Sequence, residues 1–474
     1  MKIQFAKIIL VLLFLYSSTA DGQNSAAVIS DDLLSEDSEI NNASHPCISY
    51  EHYRILESRI NTNVTLLHSQ ISAERVSTVA LEWPLRASVG FTDCGYYAIS
   101  AHVDQNTTAG VYSDYNCGSI TYDGHKGTDI KIWPFAFHKM DSDQVEVIAA
   151  AAGTLIDKDD GNFDRNCTSN SLPANYAIIQ HTDGSVALYW HMKSGSVTTK
   201  AIGQSISVGE YLGVVGSSGS SSGPHLHFEV WSGNTNTTYK DPFAGTCNSL
   251  NANSWWALQK PYTEPSVLKA SVHITDAVMP GCPTTETLNE STSYTIPFQG
   301  PGLAPGYAKF YMFLRNATAG MTADVRILNP GGSTFNSWTY TSPGNAVSNY
   351  VAWSKLLPTI AGTYTFEATY NGITCSQEFE ILTSAAIADN SEEDLFSISP
   401  NPARDIISIH GPGIGIGKNK FSLINTIGQL VFSEEIISTN TNQITISVSS
   451  LPRGLYFLRI DTKSSVIIKK FVRE

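Results

Sequence analysis

Short apolar runs separated by turn residues fill the sequence from about residue 84 onwards. The runs have the length of strands rather than of helices. The clearest pair, Tyr176–His181 and Val186–His191, is joined by the four residues Thr182–Ser185, which contain an Asp-Gly dipeptide. An Asp-Gly between two apolar runs is a strong signal for a β-hairpin. We therefore expect a mainly β protein, with Val145–Ala152 as a further strand.

Length and spacing divide the chain into several units. Its 474 residues are enough for about two to four domains. We expect an N-terminal linker and helical or pro-segment at 21–83, a compact antiparallel β-sheet domain at 84–262, an immunoglobulin-like β-sandwich at 263–384 and a smaller β-sandwich at 395–474. Within the first of these segments, the apolar residues of 47–75 are spaced as in an amphipathic helix.

The first residues have the pattern of a signal peptide. Lys2 and Lys7 precede the apolar run Ile8–Tyr16, and small residues follow at Ser17–Ala20. The apolar run is shorter than the roughly 20 residues that a membrane span requires. We therefore expect residues 1–20 to be a signal peptide, and the protein to be a secreted or outer-surface monomer without a transmembrane span.

The charge of the chain restricts its partners. A formal net charge of −14 argues against a nucleic-acid ligand, because phosphate contacts need a basic surface. The same charge gives no long-range attraction towards an anionic cell envelope.

The seven cysteines contain no C-x-x-C pair, which makes a zinc ribbon or a thioredoxin-like motif improbable. In an exported protein their natural use is in disulfides. From their placement we expect three bridges and one unpaired residue: Cys282–Cys375, Cys94–Cys117 and Cys167–Cys247, with Cys47 left over.

In two pairs of polar residues, the members are separated by an even number of positions, which places them on the same face of a strand. In an extended strand His225 and His227 share one face, while the residues between and after them point into the core. His125 and Asp129, also separated by an even number of positions, would share a face in the same way. His191 ends the predicted hairpin.

Histidines and carboxylates in this combination indicate metal chemistry. Two His and one carboxylate form a common zinc set that leaves the fourth position to water, whose pKa the metal lowers. Further imidazoles beside the metal can transfer protons. A lone histidine on a β face is more often structural, and each motif alone also occurs by chance. Their combination in one domain indicates a metallohydrolase.

Several stretches of the 84–262 segment match one family in the family's order. They are His125–Ile130, Val147–Thr154, Ile179–Gly184, Tyr189–Met192, Val208–Gly216 and Ser218–Val230. With these stretches, residues 120–245 resemble the lysostaphin-type, LasA-like zinc metallopeptidases along their whole catalytic domain. The resemblance implies a compact antiparallel β fold with a long substrate groove, and it makes 84–262 a zinc metallopeptidase domain.

The resemblance also implies a role for each residue. His125, Asp129 and His227 would bind one Zn²⁺ per catalytic domain. His225 would be the general base, and His191 would orient or stabilise the oxyanion of the tetrahedral intermediate. All five positions hold the residue types that the family requires.

Two segments are longer than the corresponding turns of that family, namely Lys131–Gln144 and Asp157–Pro173. We expect both to wall the substrate groove and to influence substrate choice.

The C-terminal unit resembles a second family. Its motifs are Ile398–Ala403, Asp405–Ile409, Ile427–Gln429, Leu451–Leu458 and the basic end Lys469–Arg473. They are similar to the C-terminal sorting domain of the type IX secretion system of Bacteroidetes. The resemblance implies the secretion machinery as a partner, passage across the outer membrane, and release or surface attachment.

The expected function is hydrolysis of peptide bonds in peptidoglycan, in cross-bridges or stem peptides near glycine, because most of the family cuts these bonds. Two alternatives remain open. One is an extracellular protease acting on glycine-rich proteins such as elastin. The other is a non-catalytic wall-binding or surface-adhesion protein whose active part is the 263–384 sandwich.

Overall fold

The computed structural model describes residues 27–30, 47–67, 79–279, 286–383, 397–411, 417–426, 428–438, 443–461 and 466–474. The predicted signal peptide at 1–20 lies outside the described residues, as does most of the predicted linker. The chain divides into two compact units, Met1–Thr383 and Ser384–Glu474.

The first unit contains two helices and a short 3-10 turn among its described residues. They are α1 (Tyr50–Leu67), α2 (Ala136–Asp141) and the 3-10 turn Asn236–Thr238. Its first twelve strands are β1 (Ala27–Ser30), β2 (Leu85–Ala87), β3 (Tyr97–Ala101), β4 (Thr128–Ile132), β5 (Val145–Ile148), β6 (Gly153–Asp159), β7 (Tyr176–His181), β8 (Val186–Trp190), β9 (Ser205–Ile206), β10 (Tyr211–Val214), β11 (His225–Trp231) and β12 (Tyr239–Lys240). The eight that follow are β13 (Ser266–His273), β14 (Ser293–Ile296), β15 (Tyr307–Ala317), β16 (Thr322–Leu328), β17 (Thr334–Thr341), β18 (Ala346–Leu356), β19 (Gly362–Tyr370) and β20 (Ile373–Thr383).

Strands β2 to β12 build the domain that carries the histidine motifs. A large sheet runs in the order β3-β4-β11-β8-β7-β6-β9, with β12 paired to β11, and a small sheet runs β10-β5-β2. The hairpin of β7 and β8 forms as the sequence predicts, with antiparallel pairing between them. The predicted strand at Val145–Ala152 is shorter in the structure and ends at Ile148.

Helix α1 covers one face of the large sheet. It begins where the Ser49 hydroxyl accepts a hydrogen bond from the backbone N–H of His52 at 3.2 Å, which caps an otherwise unsatisfied donor. Tyr53, Leu56 and Ile60 recur at helical spacing and are buried. They form a hydrophobic cluster with side chains of strands β6, β7, β8 and β11. The predicted amphipathic helix is therefore confirmed for 50–67, and the rest of 47–75 lies partly outside the described residues.

Strands β13 to β20 form a two-sheet sandwich. One sheet runs β1-β18-β15-β13 and the other β14-β20-β19-β16-β17. Side chains of both sheets share one apolar core that includes Phe310, Trp353 and Phe366. Strand β1, from far upstream in the sequence, pairs antiparallel with β18 at the edge of the first sheet.

The observed disulfides correct the predicted pairing. Cys94 is bonded to Cys375 and Cys117 to Cys247. The predicted bridges Cys282–Cys375, Cys94–Cys117 and Cys167–Cys247 are therefore wrong. The first observed bridge joins the β-sheet domain to the sandwich, a long-range contact that local spacing does not reveal. Cys167 is also disulfide-bonded, Cys282 lies outside the described residues, and Cys47 is free as predicted.

The segment Lys131–Gln144 packs in part against the sandwich. It contains the end of β4 and helix α2, and its Trp133 and Phe135 are buried in a cluster with sandwich residues such as Phe313. The Trp133 indole N–H donates to the Leu314 carbonyl at 3.2 Å. Trp133 and Phe135 therefore contribute to the contact between the two domains, and a role of this segment as a groove wall stays a prediction.

The second unit is a small β-sandwich. Its strands are β21 (Ser397–Ser399), β22 (Ile406–His410), β23 (Gly417–Asn425), β24 (Leu430–Ser438), β25 (Gln443–Ser447), β26 (Gly454–Asp461) and β27 (Val466–Arg473). They form the sheets β21-β22-β25 and β24-β23-β26-β27 around one core. The predicted mainly β fold with antiparallel sheets is confirmed. Within the described ranges, no helix has the length and apolar character that crossing a bilayer demands.

Candidate metal centre

Three neighbouring strands bring the predicted site residues together. Strand β11 lies between β4 and β8, and its register pairs His227 with Asp129 on one side and with Trp190 on the other. His191 directly follows Trp190, so it emerges beside the same point. His225 begins β11 and shares the face of His227.

Three donor atoms converge at this point. The Asp129 carboxylate lies 3.2 Å from His125 Nε2 and 2.8 Å from His227 Nδ1. The two imidazole nitrogens are themselves 3.2 Å apart. All three residues are buried. This grouping has the size and composition of a metal-ligand set.

Two further imidazoles flank the three donors. His225 Nε2 is 3.6 Å from the nearer Asp129 oxygen, and the ring centroids of His191 and His225 are 4.5 Å apart. The Nε2 atoms of His191 and His225 are buried and have no hydrogen-bond partner within the described part of the chain. Unpartnered buried nitrogens of this kind call for a ligand.

Each imidazole is oriented by a hydrogen bond at its other nitrogen. His125 Nδ1 donates to the His102 carbonyl at 2.7 Å. His191 Nδ1 donates to the Ser218 carbonyl at 2.6 Å, and His225 Nδ1 donates to the Gly223 carbonyl at 2.8 Å. These partners fix the tautomer, so that each Nε2 faces the cluster with its lone pair.

His227 is oriented by a carboxylate. Its Nε2 lies 3.4 Å from Glu229 Oε2, which leaves Nδ1 for the cluster. The buried Glu229 also accepts hydrogen bonds from the Trp231 indole at 2.8 Å and the Tyr53 hydroxyl at 2.9 Å. A carboxylate behind a ligating histidine raises the basicity of that ligand.

Local backbone geometry allows the close approach. A Cβ at Gly127 would lie 2.6 Å from His227 Cε1 and 2.9 Å from the Phe228 carbonyl, so only glycine fits between His125 and Asp129. His191 has a φ of 70°, a left-handed conformation that is uncommon for histidine. Such strained positions concentrate at functional sites, and here the strain turns the ring towards the cluster.

The electrostatics of the cluster favour a cation. Burial opposes ionisation of the Asp129 carboxyl, but His125 and His225 hold its pKa well below the usual value. Burial also lowers the pKa of the His125 imidazole, yet Asp129 outweighs it and raises that pKa to about 9. For His191, burial and the neighbouring His225 lower the pKa. The residues present fit a divalent metal, because a buried anion surrounded by imidazole lone pairs needs positive charge at its centre.

A thiol lies in the same cluster. Cys47 Sγ is 2.9 Å from the Tyr122 hydroxyl and 3.9 Å from Asp129 Oδ2. Burial and the Asp129 carboxylate raise the pKa of this thiol, but the imidazoles of His227, His125 and His191 outweigh both and hold it well below its usual value. Sequence reasoning missed this residue as part of the site. Its one signal was its position as the odd cysteine.

Other polar residues of the domain lie elsewhere or act through their backbone. His181 Nδ1 bonds to the Ala152 carbonyl, and His138 belongs to α2, at the contact with the sandwich. The buried ring of His102 packs against Tyr115 and Phe243, while its carbonyl orients His125. These three histidines therefore lie outside the group of converging donor atoms.

Comparison with known proteins gives matches to two family models. Residues 123–242 match the family model of peptidase family M23. A curated uncharacterized metalloprotease of Buchnera aphidicola subsp. Baizongia pistaciae (strain Bp) is 40% identical over 57 residues, 12% of this chain and 14% of that protein. The chain therefore spans a small part of the length of that relative. Residues 397–474 match the family model of a secretion system C-terminal sorting domain.

Two solved structures are similar over parts of the chain. A mutant catalytic domain of the prophage-encoded M23 protein EnpA from Enterococcus faecalis is 24% identical, covers 31% of this chain and 88% of its own, and has a TM-score of 0.18. Dimeric latent PorU from Porphyromonas gingivalis is 11% identical, covers 80% of this chain and 34% of its own, and has a TM-score of 0.19. TM-scores this low carry no structural argument.

Both resemblances seen in the sequence are thus confirmed, and the sorting domain marks the protein for export to the cell surface or the medium. The chain contains a domain of the lysostaphin-type peptidase family M23 at residues 123–242, followed by a type IX secretion sorting domain at residues 397–474.

Proposed function

We propose that the protein is a secreted zinc metalloendopeptidase in which His125, Asp129 and His227 hold the ion. The observation that carries the proposal is the convergence of these three buried donors beside two imidazole nitrogens without partners. Imidazole and carboxylate donors suit Zn²⁺, and three protein ligands are typical of catalytic rather than structural zinc. When bound, Zn²⁺ would supply a Lewis acid that polarises the scissile carbonyl and lowers the pKa of a water molecule.

We propose that His225 acts as the general base. Its Nδ1 donates to the Gly223 carbonyl, so its Nε2 carries the lone pair and faces the cluster. That nitrogen can take the proton of the attacking water and return it to the leaving amine. The short loop before β11 fixes the ring, since Ser221 Oγ also lies 3.2 Å from Nδ1.

His191 has two available roles, which depend on its protonation. Because its Nδ1 donates to the Ser218 carbonyl, the neutral ring offers Nε2 only as an acceptor, and it can orient the attacking water. Donation from Nε2 to an oxyanion requires the imidazolium form. We propose that neutral His191 orients the attacking water through Nε2. The oxyanion role implied by the family resemblance would need a proton on that nitrogen, which burial and the neighbouring His225 disfavour because they lower the pKa of the His191 imidazole.

Peptidoglycan is the substrate that we propose, in cross-bridges or stem peptides near glycine. The proposal is supported by the family resemblance, and export directs the enzyme towards the walls of other bacteria. A glycine-rich extracellular protein such as elastin is the second substrate. The net charge of −14 favours this second substrate, because it gives no attraction to anionic walls.

Metal analysis of purified full-length protein tests the site. Wild type and His225→Ala should each retain one zinc, whereas His227→Ala should lose it. His138→Ala is a matched control, because it removes a histidine of the same domain outside the cluster and should change neither zinc content nor turnover. Well-folded wild type without zinc after zinc reconstitution would refute the metal site.

Hydrolysis assays test the reaction and its substrate. Zymograms on purified cell wall and on elastin should show clearing that His225→Ala abolishes. The Cys47 thiol lies among the same donors, where it can block the metal. Protein nicked by trypsin is therefore assayed beside the intact chain, so that a blocked enzyme is distinguished from an inactive one. If the effect of the secreted protein on bacteria is the same for His225→Ala as for wild type, that effect does not need catalysis and the non-catalytic adhesion alternative is correct. If neither the intact nor the trypsin-nicked protein clears either substrate when loaded with zinc, both substrate proposals fail.

A further inference from the structure

The described stretch 47–67 begins with a cysteine whose thiol lies among the donor atoms of the metal site. Cys47 stands three positions before α1, and its Sγ lies within 4.8 Å of the donor atoms of His125, Asp129 and His227. The same Sγ lies within 4.8 Å of donor atoms of His191 and His225. The thiol therefore faces every imidazole and carboxylate of the proposed centre at once.

The segment is seated by specific contacts, so the position of the thiol is not a chance approach. The Tyr53 hydroxyl donates to Glu229, the carboxylate behind His227. Glu57 accepts a hydrogen bond from the backbone N–H of Asn236 at 2.7 Å. Arg59 of the same helix forms an ion pair with the buried carboxylate of Asp157 in strand β6 at 2.7 Å.

Apolar packing adds to these polar contacts. Ile48 directly follows the cysteine and is buried in the cluster that holds Leu56 and Ile60 against the sheet. Each fully buried aliphatic side chain of this kind contributes about 1.5–3 kcal/mol. The apolar packing of Ile48 and the polar contacts of α1 together hold the backbone next to Cys47 in place.

The Cys47 thiol has the chemistry of a metal ligand. A cysteine thiolate is a strong zinc ligand, and zinc sites closed by four protein ligands are structural, whereas catalytic sites keep one position open. Cys47 together with His125, Asp129 and His227 makes four donors. A thiolate in the fourth position keeps water out of it, and the adjacent His225 then has no proton to take.

We propose that Cys47 Sγ is the fourth metal ligand in the intact chain, and that residues 47–67 form an inhibitory segment held over the site by α1. The proposal rests on the metal site described under the proposed function. When α1 leaves the sheet, the contact between Sγ and the metal is lost and the thiolate passes into solvent. No oxidant or reductant takes part in this exchange.

Cobalt substitution of the full-length protein tests the ligand directly. With Co²⁺ in place of zinc, wild type should show a thiolate-to-cobalt charge-transfer band in the near ultraviolet. Cys47→Ala should lose that band but keep the visible bands of tetrahedral Co²⁺. Cys47→Ser is a second variant, which is nearly isosteric and serves if the alanine variant folds poorly.

Thiol alkylation gives a readout that needs neither a variant nor turnover. In wild type, Cys47 should resist iodoacetamide while metal is bound and react after a chelator removes the metal, as followed by peptide mapping. Tyr122→Phe is the matched control, because the Tyr122 hydroxyl is the other close partner of the thiol. It should leave the protection by metal intact.

Hydrolysis completes the test. Zinc-loaded Cys47→Ala should turn over at least about tenfold faster than intact wild type, because only wild-type molecules with the segment unseated are competent. Wild type that binds one Co²⁺ without the charge-transfer band, or whose Cys47 reacts equally with and without metal, overturns the proposal. If instead no variant binds metal, or metal-loaded Cys47→Ala does not hydrolyse peptides, it is the proposed function that fails.

Discussion

Truncation of Ile60 should release the inhibitory segment without touching the metal site. The Ile60 side chain is fully buried, with 0% exposure, between α1 and the large sheet. Substitution by alanine removes three carbon groups, each worth about 0.8 kcal/mol on burial. With the cavity that remains, we expect a loss of about 3 kcal/mol of docking free energy.

That loss can be measured at the thiol. Since about 1.4 kcal/mol corresponds to a factor of ten, the fraction of molecules with α1 unseated should rise about a hundredfold. In metal-loaded protein the alkylation rate of Cys47 should increase by a similar factor, provided that opening and closing are fast relative to labelling.

A matched substitution separates local release from general destabilisation. Ile327 is equally buried, but it lies in the core of the sandwich, so Ile327→Ala removes the same groups away from α1. It should lower the thermal midpoint with little effect on Cys47 labelling below the transition. If Ile60→Ala labels no faster than Ile327→Ala, α1 does not hold the thiol at the site, and the reasoning is wrong.

Three further predictions concern other buried groups. Glu229→Gln should weaken metal binding about tenfold, as measured by competition with a chelator, because it removes the charge behind His227. For Asp241, burial raises the pKa of the carboxyl from 3.8 to about 7, so this group stabilises the fold below the lower value and that stability is lost as the pH rises towards the upper one. Asp241→Asn should therefore show a smaller fall in thermal midpoint between about pH 4 and about pH 7 than wild type, and an unchanged pH profile would contradict this. Replacing Cys94 and Cys375 by serine should lower the free energy of unfolding of the first unit by about 4 kcal/mol in denaturant titrations, because the bridge closes a loop across 281 positions.

Local patterns carried most of what the sequence could predict. The hairpin of β7 and β8 follows from alternation and an Asp-Gly turn, and the shared face of His225 and His227 follows from strand geometry. That β11 lies between β4 and β8, which brings Asp129 beside His227, depends on sheet order. No local signal encodes that order, so the sequence supplied it only through family resemblance.

The errors have a common physical origin in long-range contacts. The bridge from Cys94 to Cys375 depends on how two domains dock, which spacing along the chain does not reveal. Aromatic residues such as Trp133 suit a groove wall and a domain contact equally well, so composition could not reveal the contact with the sandwich. Cys47 lies just before helix α1, and it reaches the site only because that helix packs against strands that are distant in the sequence. In the sequence, only its lack of a disulfide partner set it apart.

The bridge between Cys94 and Cys375 determines which fragments stay covalently linked after the backbone is cleaved. A protease that nicks any surface loop between these two cysteines leaves the fragments tied together, with the sandwich still fastened to the catalytic sheet. A cut between residues 384 and 396, by contrast, breaks the covalent link to the C-terminal unit and leaves both observed bridges intact. Where proteases are abundant, the chain can therefore lose its C-terminal sorting domain while the β-sheet domain and the sandwich stay covalently linked.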